Sequence, residues 1–105
     1  MMQQKFEIWQ LPTNSPFKFQ HYDWIIGTKP SIRDYVPTYS GESLRVDGME
    51  TELFLEKLFY IFNNEEPADY HGFSMSVSDA ICLIDENNKR TWWYVDGQGF
   101  AKLDW

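Results

Sequence analysis

The sequence has little that a metal or catalytic site could use. Its 105 residues include one cysteine and two histidines. His21 and His71 lie far apart in the chain, and neither has a second His, Cys or carboxylate at the close spacing that structural zinc sites show. We therefore predict no metal ligands, no cofactor and no catalytic residues, and the single Cys82 excludes an intrachain disulfide.

Long apolar runs are also missing. No stretch approaches the roughly eighteen consecutive apolar residues that a membrane-spanning helix needs, and residues 1–9 lack the apolar segment of a signal peptide. We expect a cytoplasmic protein with no membrane contact.

Basic residues are scarce in one part of the chain. The net charge is −7, and it arises after residue 48, where eleven acidic residues face four basic ones. Direct nucleic-acid binding needs clustered Lys and Arg, so it is not expected. The acidic half favours a protein partner with a basic surface, although acidic residues that serve only solubility would give the same count.

Hydrophobic and aromatic residues are plentiful. They make up 43% and 18% of the chain, enough to offset the entropy lost on folding, and a chain of this length has room for one core. We predict a single domain over residues 1–105.

Hydropathy patterns predict an α+β fold in the order β-(α)-β-α-β-β-β, with a small, mostly antiparallel sheet packed on one main helix. Residues 17–26 fit either a short helix or an irregular segment. Pro37 places residues 32–39 at a sheet edge, followed by a loop through residues 40–42, because proline cannot donate to a ladder. The predicted strands cover residues 6–11, 32–39, 74–84, 91–96 and 99–104, with turns at 85–89 and at Asp96-Gly97.

The main helix is predicted over about 48–63. Asp47 and Glu50 have the spacing of a capping box at its start. One apolar stripe with helical period would lie on the sheet, formed by Phe54, Leu55, Leu58, Ile61 and Phe62.

Leu53 and Tyr60 fall on the opposite side of this helix, where large apolar residues are not expected. They either contact a loop or belong to a partner-binding surface flanked by carboxylates. The candidate partner-binding residues are therefore Glu52, Leu53, Glu56, Tyr60, Glu65, Glu66 and Asp69.

The carboxy-terminal strands carry the remaining candidates. Trp92, Trp93 and Tyr94 put large rings on both faces of one strand, so the face away from the helix is either covered by the amino-terminal segment or exposed. Cys82, His71 and Asp79 could meet as nucleophile, base and orienting group of a small hydrolase or transferase. The apolar neighbours of Cys82 favour a buried, unreactive thiol instead, and local hydrogen bonding is the simpler role for Asp79.

Five segments of the chain resemble the YodL-like domain family of gram-positive bacteria. They are residues 6–11, 21–23, 55–63, 67–79 and 94–100, and the serine-rich segment before Asp79 and the Tyr94-Val-Asp ending are the most specific. Phe73 stands where the family usually has the His of a Gly-His-Ser triplet. The resemblance implies a small accessory domain of proteins from conjugative elements and plasmids, and it brings no enzymatic activity.

The resulting hypothesis is a non-enzymatic acidic module that binds a protein, in one concrete form a mobile-element inhibitor of a restriction or CRISPR nuclease. Two alternatives stay open. One is the Cys82-dependent enzyme, and the other is a domain that self-assembles through the 32–39 edge strand.

Overall fold

A computed structural model describes residues 2–16, 18, 19, 31–65, 67–70, 72, 74–97 and 99–105. Within these residues, five strands and one α-helix are present. In chain order these are β1 (Met2–Gln10), β2 (Val36–Arg45), α1 (Thr51–Asn64), β3 (Ala80–Ile84), β4 (Arg90–Asp96) and β5 (Gly99–Leu103), and a short 3-10 helix, Ile32–Asp34, precedes β2.

The strands form one sheet in the order β2-β1-β3-β4-β5, and every neighbouring pair is antiparallel. Since β2 and β3 both run antiparallel to β1, they are parallel to each other, and the chain between them carries α1. The predicted α+β fold class is confirmed.

The first sheet face packs against α1. Strand alternation turns Phe6, Ile8, Ile81, Leu83 and Val95 toward the helix. The predicted helix stripe is confirmed: Phe54, Leu55, Leu58 and Phe62 are buried, and Ile61 is partly buried against the same core. Each of the four fully buried side chains contributes roughly 1.5 to 3 kcal/mol before conformational entropy is subtracted.

The second sheet face carries its own core. Trp92 and Tyr94 are buried there, so this aromatic face is covered. Its buried members are Leu11, Tyr35, Ala80, Cys82, Trp92, Tyr94 and Leu103. The Trp105 ring packs on Tyr35 and Trp92, with centroids 5.0 and 5.1 Å away, so residues from both ends of the chain close this face.

The predicted start of α1 is wrong. The helix begins at Thr51, and its N-cap residue Glu50 makes no side-chain capping hydrogen bond. Asp47 and Gly48 instead form a turn in which the Met49 amide donates to the Val46 carbonyl at 3.0 Å. Gly48 has φ +81°, a left-handed conformation that breaks the helical run.

We expect Gly48→Ala to lower the free energy of unfolding by about 1 to 2 kcal/mol, because alanine is strained in the left-handed region. No neighbouring atom would meet the added Cβ, so the loss reports backbone strain alone. Gly48→Asn is the matched control and should lose less, since asparagine tolerates this conformation. Urea denaturation measures both, and equal losses would contradict the backbone explanation.

Several predicted strand limits also change. Residues 32–34 are helical because Ser31 and Asp34 form a reciprocal capping box. β2 continues through the predicted loop at residues 40–42, pairing with Glu7, Phe6 and Lys5. The edge position predicted from Pro37 is confirmed. Residues 74–79 are not a strand, and most of the 17–26 segment lies outside the described residues.

The two predicted hairpin turns of the carboxy-terminal half are present. Asp85 Oδ1 accepts the amides of Asn87 and Lys89 at 2.8 and 2.9 Å, which closes the β3–β4 turn. The β4–β5 turn is fixed by the Gly97 amide, which donates to Asp96 Oδ1 at 2.8 Å.

Candidate functional site

The exposed side of α1 presents two large apolar side chains between carboxylates. Leu53 and Tyr60 are 54% and 57% exposed, which answers whether they contact a loop or lie at the surface. Glu52 and Glu56 are exposed on the same side. These four residues, Glu52, Leu53, Glu56 and Tyr60, are called the outward face.

Helical spacing makes the outward face contiguous. Glu56 lies three residues after Leu53 and four before Tyr60, so the three side chains are neighbours on the helix surface. The outward face thus combines apolar contact area with negative charge, a pairing suited to a partner that offers cations.

Lys57 limits the outward face on one flank. Its ammonium group donates to the Leu44 carbonyl at 2.5 Å and lies 5.9 Å from the centre of the Phe54 ring. Leu44 belongs to the edge strand β2, so Lys57 occupies a carbonyl that an incoming strand would otherwise use, and a charge at a sheet edge discourages strand addition.

The other flank opens into a cavity of about 210 Å³ between α1 and the β4–β5 turn. Glu56 and Asp96 contribute carboxylates to its wall, and Phe59 and Phe100 contribute aromatic rings. An aliphatic stem ending in a cation, such as a lysine or arginine side chain, suits walls of this kind.

The other predicted site residues are more dispersed. Glu65 is exposed and caps the carboxy-terminal end of α1, whereas Glu66 lies outside the described residues. Asp69 is exposed and accepts a hydrogen bond from the Tyr39 hydroxyl at 3.3 Å. Burial, followed by the charge and hydrogen bond of Asp69, raises the pKa of Tyr39.

A buried polar network at the adjoining ends of β1 and β3 was not predicted as a unit. Asp79 is fully buried, and its Oδ2 accepts hydrogen bonds from Gln10 Nε2 at 3.0 Å and from the Ser76 amide at 2.9 Å. Lys18 is also buried; its Nζ lies 3.7 Å from Asp79 Oδ1 and donates to the Leu11 carbonyl at 3.1 Å. Burial raises the pKa of Asp79 to about 6, although its hydrogen bonds and the charge of Lys18 act in the opposite direction.

Ser78 ties the amino-terminal segment to this network. Its φ is +87°, and this conformation ends any extension of β3 toward residue 74. The Ser78 carbonyl accepts the Tyr35 hydroxyl at 2.6 Å, and its hydroxyl accepts the Phe19 amide at 2.9 Å. Ser78 therefore connects two distant segments of the chain to the start of β3.

In a comparison with protein families, the model of the YodL-like domain matches residues 5–105. This chain belongs to the YodL-like domain family. No curated protein and no solved structure matches the chain.

Two segments that carry the resemblance to the family, the serine-rich segment and the one that begins at Tyr94, meet in space. The Ser78 amide donates to the Val95 carbonyl at 2.9 Å, and the Val95 amide donates to the Asp79 carbonyl at 2.8 Å. The serine-rich segment and the Tyr94-Val95-Asp96 ending are thus joined by paired backbone hydrogen bonds. This pairing gives both motifs a structural role in the YodL-like domain.

Cys82 of the YodL-like domain lies in the second core. Burial raises the pKa of its thiol to about 11, despite the opposing hydrogen bond and charge of Arg90. A protonated thiol at neutral pH is a poor nucleophile. Asp79 has Gln10, Ser76 and Lys18 as partners, and His71 lies outside the described residues.

The described part of the YodL-like domain lacks two other kinds of feature. No group of three His, Cys, Asp or Glu side chains there is arranged to hold a metal ion. The same residues include no helix with the length and hydrophobicity to cross a membrane.

Proposed function

We propose that this YodL-like domain is a non-enzymatic module that binds a basic protein surface through the outward face of α1. The observation that supports the proposal is the exposure of Leu53 and Tyr60 beside two carboxylates. A large exposed apolar residue is common singly, but an aromatic and an aliphatic residue one heptad apart form a contact stripe that an interface core can use.

Charge selects the class of partner. The net charge of −7 repels acidic surfaces and nucleic acid, and it accelerates encounter with a basic protein. The cavity beside Glu56 adds a place where a lysine or arginine of the partner inserts between Phe59 and Phe100.

A finer version of the proposal concerns the identity of the partner. Nucleases of restriction and CRISPR systems hold nucleic acid in basic grooves, and an acidic module that occupies such a groove acts as a competitive inhibitor. The family resemblance to mobile-element domains and the acidic carboxy-terminal half support this version.

Charge reversal on the outward face tests the binding mode. The partner is first isolated from the native host by affinity pull-down with the wild-type domain. The dissociation constant is then measured with both proteins purified. We expect Glu52→Lys with Glu56→Lys to weaken binding at least tenfold, because both carboxylates face the partner's cations. Both residues are exposed, so the midpoint of thermal unfolding should change little.

The matched control is Glu42→Lys with Glu86→Lys, which changes the net charge equally at two exposed positions. Glu42 pairs with Lys5 on the sheet face away from α1, and Glu86 lies in the β3–β4 turn. This control variant should weaken binding far less. If the two double variants lost equal affinity, net charge alone would explain binding and the outward face would be the wrong site.

A further inference from the structure

A second cavity, of about 280 Å³, lies on the helix-side face of the sheet next to the start of α1. Unlike the rest of this acidic chain, its wall concentrates positive charge. Arg45, Lys89 and Lys102 line it from three different elements, together with the hydroxyls of Thr51 and Thr91 and the half-buried ring of Trp93.

Among the described residues, the hydrogen-bond partners of Arg45 are neutral groups. Its Nη1 donates to Gln4 Oε1 at 3.2 Å, and its Nη2 donates to the Met49 carbonyl at 3.0 Å and to Thr51 Oγ1 at 3.1 Å. These bonds fix the guanidinium without neutralising it. They use three of the guanidinium's five N–H donors.

The two lysines strengthen this positive charge. Lys89 and Lys102 are exposed, and neither forms a salt bridge within the described ranges. Asp85 supplies a carboxylate to the wall, and its Oδ1 accepts the backbone amides of Asn87 and Lys89. Three cations against one carboxylate leave the cavity positive inside a protein of net charge −7.

We infer that this cavity binds a small phosphate ester, with the phosphate attracted by the combined positive charge of Arg45, Lys89 and Lys102 and the organic part lying against Trp93. A fixed guanidinium with flanking lysines is the usual recognition set for phosphate oxygens, and the threonine hydroxyls add donors. The acidity of the whole molecule disfavours a nucleic-acid strand or an anionic bilayer as the source of the phosphate, because either would approach over many like charges. A small soluble phosphate ester contacts the cavity alone and does not extend over the acidic surface around it.

Isothermal titration calorimetry of the full chain at low ionic strength tests the site with three probes: ADP, pyrophosphate and adenosine. We expect ADP to bind most tightly, pyrophosphate more weakly and adenosine least. Lys89→Gln with Lys102→Gln should weaken ADP binding at least tenfold. The indole N–H resonance of Trp93 should shift on titration of the wild-type protein with ADP.

The control variant removes the same charge elsewhere. Lys5 is exposed and alternates with Phe6, so its side chain is on the other face of the sheet, and Arg33 is exposed in the 3-10 helix. Lys5→Gln with Arg33→Gln should leave ADP affinity within about twofold. Equal losses in the two double variants, or no binding of ADP and pyrophosphate, would overturn the site. Pyrophosphate binding as tight as ADP binding, with an unmoved Trp93 resonance, would overturn the contact with the ring.

Discussion

Replacing Phe62 with alanine is expected to lower the free energy of unfolding by about 3 to 5 kcal/mol. The Phe62 ring is buried where α1, β1, β2 and the loop before β3 meet. Its centroid lies 5.8 Å from that of Phe6, 5.1 Å from that of Tyr39 and 4.9 Å from that of Tyr70, each in an edge-to-face arrangement. Truncation removes all three contacts and leaves a cavity that rigid neighbours cannot fill.

Urea denaturation measures this loss as a lower midpoint at an unchanged slope. Tyr60→Ala is the matched control, because it truncates a ring of similar size on the same helix at an exposed position. We expect that variant to stay within about 0.5 kcal/mol of the wild type. A similar loss at both positions would contradict the packing of α1 described above and would also place Tyr60 in the core.

Replacing Asp79 with asparagine is expected to remove a fall in stability between about pH 4 and pH 6. The folded-state pKa of Asp79 is about 6, raised from 3.8. A raised carboxyl pKa means that the folded state binds the proton more tightly than the unfolded state. The contribution of Asp79 to the free energy of unfolding is therefore complete below its unfolded-state pKa of 3.8 and is lost as pH rises through about 6. A shift of this size corresponds to about 3 kcal/mol.

The Asp79→Asn variant keeps a carbonyl oxygen able to accept from Gln10 and from the Ser76 amide. Denaturation at pH 4 and pH 7 gives the measurement: the drop in stability between these values should be about 2 kcal/mol larger in the wild type than in the variant. An identical drop in the two proteins would show that Asp79 does not carry this pH dependence.

Glu7→Gln serves as the control of opposite sign. Burial tends to raise the pKa of Glu7, but hydrogen bonds from Arg90 and Trp9 and the charge of Arg90 outweigh it, and the pKa is lowered. Arg90 Nη1 donates to its Oε1 at 2.6 Å. Glu7 therefore contributes stability at neutral pH that is lost on acidification, and removing it should reduce acid sensitivity.

The candidate surface could be predicted from the sequence because helical periodicity depends only on spacing. Five apolar side chains on one side of α1 required that Leu53 and Tyr60 lie on the other, and both are exposed. The turn at Asp85 was likewise predictable, since an aspartate side chain binds backbone amides a few residues on. The same helical spacing places Glu52 and Glu56 on the side of α1 that carries Leu53 and Tyr60.

The Asp79 network and the basic cavity were not predictable in the same way. Gln10 and Lys18 contact Asp79 from far upstream in the chain. The sequence around each of them does not predict that its polar side chain is buried. Arg45, Lys89 and Lys102 are separated in sequence, and they line the same cavity only because β2, the β3–β4 turn and β5 belong to one sheet. No spacing rule connects residues that distant pairing brings together.

The amino-acid sequence by itself determined the acidic charge of the second half, the buried stripe of α1 and the residues of the two carboxy-terminal turns, because each depends on composition or on contacts within one element. Tertiary structure alone decided the strand order β2-β1-β3-β4-β5, the covering of Trp92 and Tyr94, and the left-handed turn at Ser78 that ends β3. The reason is physical: these features balance long-range packing and hydrogen bonding against local preference, and the local preference of residues 74–79 for an extended strand is outweighed by the hydrogen bonds that Asp79 and Ser78 make when buried.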